Sequence, residues 1–354
     1  MSKRIRRTRR VVRNSTVCEV QQLETKQLLT GTVEVSFSNS GDILVDGDQH
    51  DNDVTVEVNG NVATVTGNSG TQLKRGNQIV AAGVPVNVQL PSYIRDLRVK
   101  MGQGNDTLKV VAKSDIHIRR DVDVNTGAGD DFVSVISDGG KIFVGRNASV
   151  STGSGNDTFN VSDAEKFADV DTAAKIRAFQ NDTAQAGRQA IRIGKDLDIR
   201  TGGGTDTVTV LGVEAGDDVD INTGLGHDDL VAVSNLRVGD DFKLLRSDLT
   251  ALNNMTVGDT LKISTNGEDD RLVIEDVETY RLDMKMGTGN DSLAIGTGVS
   301  SVKPASIEGG PGQDNITRGS SLPGASIRSF EGSSVNTGAI LNDIFSGLMD
   351  AGLV

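Results

Sequence analysis

One short pattern recurs down this chain and constrains its fold more than any other feature: a Gly-x-Gly-x-Asp turn followed by alternating apolar residues. Copies read MGQGNDTLKV at 101, TGAGDDFVSV at 126, TGSGNDTFNV at 152, TGGGTDTVTV at 201, TGLGHDDLVAV at 223 and MGTGNDSLAI at 286. Degenerate copies are TNGEDDRLVI at 265 and GPGQDNI at 310. The key aspartates are Asp106, Asp131, Asp157, Asp206, Asp228, Asp270, Asp291 and Asp314, separated by 25, 26, 49, 22, 42, 21 and 23 residues. The unit is therefore 21–26 residues long, and the separation of 42 fits two units. The separation of 49 fits one unit plus an insertion at about 162–188, rich in Ala, Lys and Glu, where a short helix is expected as an excursion from the stack.

Each unit holds three short runs with period-2 alternation, the mark of strands buried on one face. In IRIGKDLDIRTGGGTDTVTV the pairs are Ile191/Ile193, Leu197/Ile199 and Val208/Val210. The other copies supply matching columns, such as Ile116/Ile118 and Ile142/Val144, Val122/Val124 and Ala148/Val150, Leu108/Val110 and Phe159/Val161. Three strands and three turns in about two dozen residues make one coil, and a single coil cannot bury its inward side chains alone. The expected fold is all-β: a right-handed parallel β-helix, the hand following the default for parallel crossovers. Composition agrees. The 42 Gly suit many tight turns, while two Tyr, nine Phe and no Trp leave a thin aliphatic core.

The expected organisation has four parts. Residues 1–30 are a basic leader, expected to be disordered. Residues 31–100 form a β-rich cap and the first coils, and 101–320 carry the repeats. The tail, 321–354, places Ile340, Ile344, Phe345, Leu348 and Met349 at helical spacing, and is expected to form an amphipathic helix over the last coil. Open sheet ends need such covers.

Charge is divided unevenly. The first thirty residues hold eight Lys/Arg and two Glu, a net of +6, so the rest carries −19 of the total of −13. So acidic a body argues against nucleic acid as partner and favours cations. The single cysteine, Cys18, excludes an intrachain disulfide. No stretch reaches the ~20 apolar residues of a membrane-spanning helix. Within the leader, Leu23-Glu24 followed by Leu28-Leu29-Thr30-Gly31 resembles the "LEPR-LLS" export leader of large planctomycete proteins, with Thr25-Lys26 in place of Pro-Arg. That resemblance implies a secreted or cell-surface location and contact with envelope or extracellular polymers.

The repeated turn also resembles the hemolysin-type (RTX) calcium repeat, G-G-x-G-x-D-x-apolar-x. The run Gly202-Gly203-Gly204-Thr205-Asp206-Thr207-Val208 fits it throughout. Calcium takes six to eight oxygens, which backbone carbonyls and aspartates can supply. The resemblance implies Ca2+ between consecutive turns, held by the eight aspartates above with Gly104, Gly129, Gly155, Gly204, Gly226 and Gly289 shaping the loop. The motif here recurs once per coil, not in nine-residue tandem. The competing reading is pure turn chemistry, because Gly, Asn and Asp tolerate left-handed backbone. A bare carboxylate column would still repel itself, and a second column at Asp121, Asn147, Asp196, Asp218 and Asp241 adds to the load.

Nothing in the sequence marks a catalyst. His50, His117 and His227 are isolated, and only Tyr93 and Tyr280 could add to an aromatic sugar platform beside the phenylalanines. There is no Gly-x-Ser-x-Gly elbow and no P-loop. The reading favoured is a non-enzymatic structural or surface-associated repeat protein. The alternatives are a β-helix polysaccharide lyase or hydrolase and a metal-free adhesin-like module.

Overall fold

Alternation over runs of three to seven residues, broken by glycine turns, folds as the columns require. In the computed structural model the described residues, 31–90, 93–162, 189–226 and 229–331, form one 29-stranded sheet wound into a parallel β-solenoid of about nine turns. No helix occurs among them. The leader, the 163–188 segment and the part of the tail from 332 to 354, with its expected helix, lie outside the described residues.

Three ladders run along the axis. Ile116–Ile118, Ile142–Val144, Ile191–Ile193 and Val213–Ala215 stack in register, Ile on Ile on Val. Leu97–Gln103, Val122–Ala128, Ala148–Ser154 and Leu197–Arg200 form the second ladder. Asp53–Asn59, Thr107–Ala112, Phe132–Ser137, Thr158–Ser162 and Thr207–Leu211 form the third. Ala148 pairs with Leu197 and Phe159 with Val208, so the coils on either side of the long separation are direct neighbours.

Two departures from the simple coil have physical causes. Leu249–Ser264 and Arg271–Lys285 are continuous strands of 16 and 15 residues, where short strands were expected. In this region the bend after the third strand is made by single residues in left-handed conformation, Asn235, Asn254 and Asp276, with φ of 53°, 50° and 49°. Asn and Asp tolerate that region, so the chain turns without leaving the ladder. The start of the stack is also different. Val62–Gly67 pairs antiparallel with both Asp53–Asn59 and Val86–Gln89, and Thr32–Phe37 pairs antiparallel with Ile43–Asp46. These pairings cover strands that would otherwise expose an open edge.

Candidate functional site: the file of stacked aspartates

The Gly-x-Gly-x-Asp turns lie one above another, and the aspartates point inward. Asp106, Asp131, Asp157, Asp206, Asp270, Asp291 and Asp314 are each no more than 2 % exposed. Each is tied to the next coil at two points. The backbone N–H of Asp106 donates to Asp131 Oδ1, that of Asp131 to Asp157 and that of Asp157 to Asp206, at 2.8–2.9 Å. The file resumes from Asp270 to Asp291 to Asp314 at 2.9 Å. In return, the aspartate carbonyls accept the N–H of the residue that opens the third strand of the following coil, as Asp106 does from Phe132 at 2.7 Å, and the Asp314 carbonyl accepts that of Glu331. The carboxylate thus replaces the peptide group the turn lacks.

Glycine is required here by stacking. A Cβ on Gly127, whose φ is +108°, would fall on the Gly102 carbonyl oxygen, and one on Gly129 on the Gly104 carbonyl oxygen. Gly155, Gly204 and Gly289 meet the turn below in the same way, and so does Gly226 at an ordinary φ.

At most one oxygen of each carboxylate accepts a hydrogen bond. The second, Oδ2, is buried without a hydrogen-bond donor in Asp106, Asp131, Asp157, Asp206, Asp291 and Asp314, and Asp270 lacks a donor at both oxygens. Threonines opening the turns, at 126, 152 and 201, lie beside the carboxylates of Asp131, Asp157 and Asp206 and draw their pKa values down. A hydroxyl has one proton, however. Thr126 gives it to the Thr152 carbonyl at 3.1 Å and Thr201 to the Thr223 carbonyl at 3.1 Å, forming a second file parallel to the first. Burial therefore dominates. It pushes Asp106 up to about 7, and Asp131, Asp206 and Asp291 up to about 6. Asp270 is raised by burial and by the nearby Asp291 and Asp248.

One assignment changes. In TGLGHDDLVAV the file runs through Asp229, whose carboxylate accepts from Asp206 N–H at 2.8 Å; Asp228 lies outside the described residues. Asp229 is fully buried, lacks a donor at Oδ2 and is pushed up to about 7 by burial. The file also has members without the motif. Asp229 N–H donates to Asp248 at 2.9 Å, so the coil between them is only 19 residues long. Asn52 begins the file, donating to Asp106 at 2.8 Å, and Glu331 ends it, accepting from Asp314 at 2.8 Å.

The opposite turn carries the second column, which begins at Asp96. Asp121 N–H donates to Asp96 at 3.3 Å, Asn147 to Asp121 at 3.3 Å, Asp241 to Asp218 at 3.1 Å and Thr260 to Asp241 at 3.0 Å. Here cations intervene. Arg120 clasps the buried Asp96 with two parallel hydrogen bonds from Nε and Nη2, and Arg95 does the same to Asp42, so both carboxyls lie below the usual range. Further along, Asp240, Asp241 and Asp259 bring carboxylate oxygens within 4.8 Å of one another. His117 is exposed and stacks on Phe143 with centroids 4.8 Å apart.

Comparison with protein-family models, curated proteins and solved structures finds no match. Fold and site therefore define the class unaided: an all-β repeat protein of the parallel-solenoid kind, with a file of buried aspartates along one edge.

Proposed function

We propose that this chain is an exported, non-enzymatic structural or surface-associated repeat protein that binds calcium at its stacked Gly-x-Gly-x-Asp turns. The observation that carries the reading is the row of buried Oδ2 atoms without donors, repeated coil after coil. A buried carboxylate with an unsatisfied oxygen must be protonated, hydrated or neutralised by a cation. Calcium prefers oxygen ligands from carboxylates and carbonyls, and the turn supplies carboxylates at layer spacing in a polyanionic body. Asp131 with Asp157, and Asp206 with Asp229, are the pairs assigned to consecutive sites. The likeness to hemolysin-type repeats and the basic, LEPR-like leader support calcium and export respectively, in surroundings where the rod would face envelope or extracellular polymers. The non-enzymatic part rests on how the aspartates of the repeated turns are spent, each accepting a backbone N–H of its neighbour along the axis.

The test is calcium titration by calorimetry with circular dichroism and thermal melts in parallel, at pH 8, where the inner carboxyls would otherwise have to ionise unaided. Heat of binding, and a melting temperature that falls with EDTA and recovers with calcium, are expected by linkage. A melt unmoved by either would leave a metal-free module whose carboxyls are held by protons.

A further inference from the structure

We infer that the axis of the first half of the solenoid is a binding site for a slender, unbranched hydrocarbon. Between the coil holding Ile43 and the coil holding Val213 the inward side chains leave a cavity of about 70 Å³, lined by apolar residues alone. Ile43, Leu97, Val122, Ala148 and Leu197 are stacked neighbours in one ladder, and Val213 belongs to the coil after Leu197. The lining thus spans six coils, roughly 24 Å at ~4.8 Å per layer.

The void arises from side-chain size. Its walls are mostly Val and Ile, which meet across the axis without filling it. At about 10–15 Å³ for each water-sized sphere, the space holds roughly five to seven such spheres. Water would find no polar partner there, and apolar cavities of this kind stay dry. Lining atoms that face a void lose dispersion contacts on one side, and an apolar guest restores them. The shape selects the guest. A chain one methylene wide follows the axis, while a branched molecule is too broad and a hydroxyl would be buried without a partner.

Thermal unfolding of the full chain tests this with three probes: pentane, xenon under pressure and the branched isomer neopentane. Pentane and xenon are expected to raise the unfolding midpoint and neopentane to leave it in place. Val124→Ile and Val150→Ile, each adding a methyl group to the wall, should diminish the response to pentane; Leu261→Met, in a coil beyond the cavity, should keep it. Two replacements guard against one that folds poorly. No rise in the unaltered protein would overturn the inference. So would an equal rise with neopentane, or a full response in both isoleucine variants.

Discussion

The coils before and after about residue 200 build the same cross-section from different materials. In the earlier coils Ile116, Ile118, Val144, Ala148 and Val150 keep 4–7 % of their surface open although they face the axis. In the later coils Phe242, Leu244, Leu261, Leu272, Leu282 and Met284 keep none. In the second ladder Phe242, Leu244, Leu261, Leu282 and Met284 stand where the earlier coils have Val122, Val124, Ala148 and Val150. The outer position of the opposite turn, beside Asp96 and Asp121, changes at the same boundary. Backbone hydrogen bonds stack Arg95, Arg120, Arg146 and Lys195 in one column, which continues as Asp217, Asp240 and Asp259. In the earlier coils each arginine reaches back to a carboxylate of the preceding coil, Arg95 to Asp42, Arg120 to Asp96 and Arg146 to Asp121. In the later coils an aspartate stands where the cation stood. A solenoid repeat thus fixes hydrogen bonding and direction, while filling and charge vary from coil to coil.

The largest expected effect separates the two cores directly. Leu244→Ala should cost about 4–5 kcal/mol and Leu197→Ala nearer 2–3, within the range for buried Leu truncations. Leu197 lines the cavity and has fewer contacts to lose, while Leu244 is enclosed on all sides. Urea unfolding measures both, and equal costs would remove the distinction.

The aspartate file crosses the boundary and gives the next effect. In EDTA its folded pKa values lie above the ordinary 3.8, so the folded chain binds more protons than the unfolded one. The stability this contributes is complete below about pH 4 and is lost as pH rises through 6 to 7. Asp96 acts oppositely: its lowered pKa stabilises above the unfolded value and fails on acidification. Without metal, stability should therefore peak on the acid side of neutrality and fall toward pH 8. Asp131→Asn keeps the acceptor oxygen, as Asn would at any coil of the file. In EDTA it should stabilise by up to about 2 kcal/mol at pH 8 and leave stability at pH 4 unchanged. With calcium at pH 8 the sign should reverse. Melts at the two pH values, with and without the metal, check both statements.

Which side faces inward was legible because alternation survives even where residue types vary; how well volumes add across the axis was not. The file shows the same limit. Asp229 escaped notice because Leu230 and Val231 are both apolar, so parity did not tell Asp228 from Asp229 as the turn residue. The register resolves it: Val231 stacks on Val208, two residues after Asp206. Asp248 follows a shortened turn without the glycine pair, and the inward position two residues later is Thr250, a polar residue that interrupts the apolar column. Glu331 accepts where an aspartate would, and Asn52 opens the file by donating its backbone N–H and its side-chain amide to Asp106. The turn glycines stood out from the sequence, but their main reason did not. A carbonyl from the coil below occupies the place of each Cβ, and that neighbour is about two dozen residues away.

Adding one methylene reads the two cores from the other side. Val150→Ile, facing the cavity, should stabilise by about 0.5–1 kcal/mol. Val210→Ile, where nothing is exposed, should destabilise by about 1 kcal/mol or more through overpacking. The sign difference is the decisive feature, since both replacements add the same group to the same kind of strand.

The smallest effect belongs to the charge column. Asp240 is exposed beside Asp217, Asp218, Asp241 and Asp259, and burial and these neighbours raise its pKa. Asp240→Lys would extend the column of cations one stage further and face Asp218 as Arg120 faces Asp96. A slight rise in melting temperature is expected at low ionic strength in EDTA, shrinking as salt shortens the reach of surface charges to a few ångströms. Arg120→Ala should do the reverse and more strongly, because it strands a carboxylate that is 2 % exposed where Asp240 has solvent around it. If both changes proved equally salt-sensitive, the clasped and open halves of the column would be electrostatically alike, and the boundary near residue 200 would be one of packing alone.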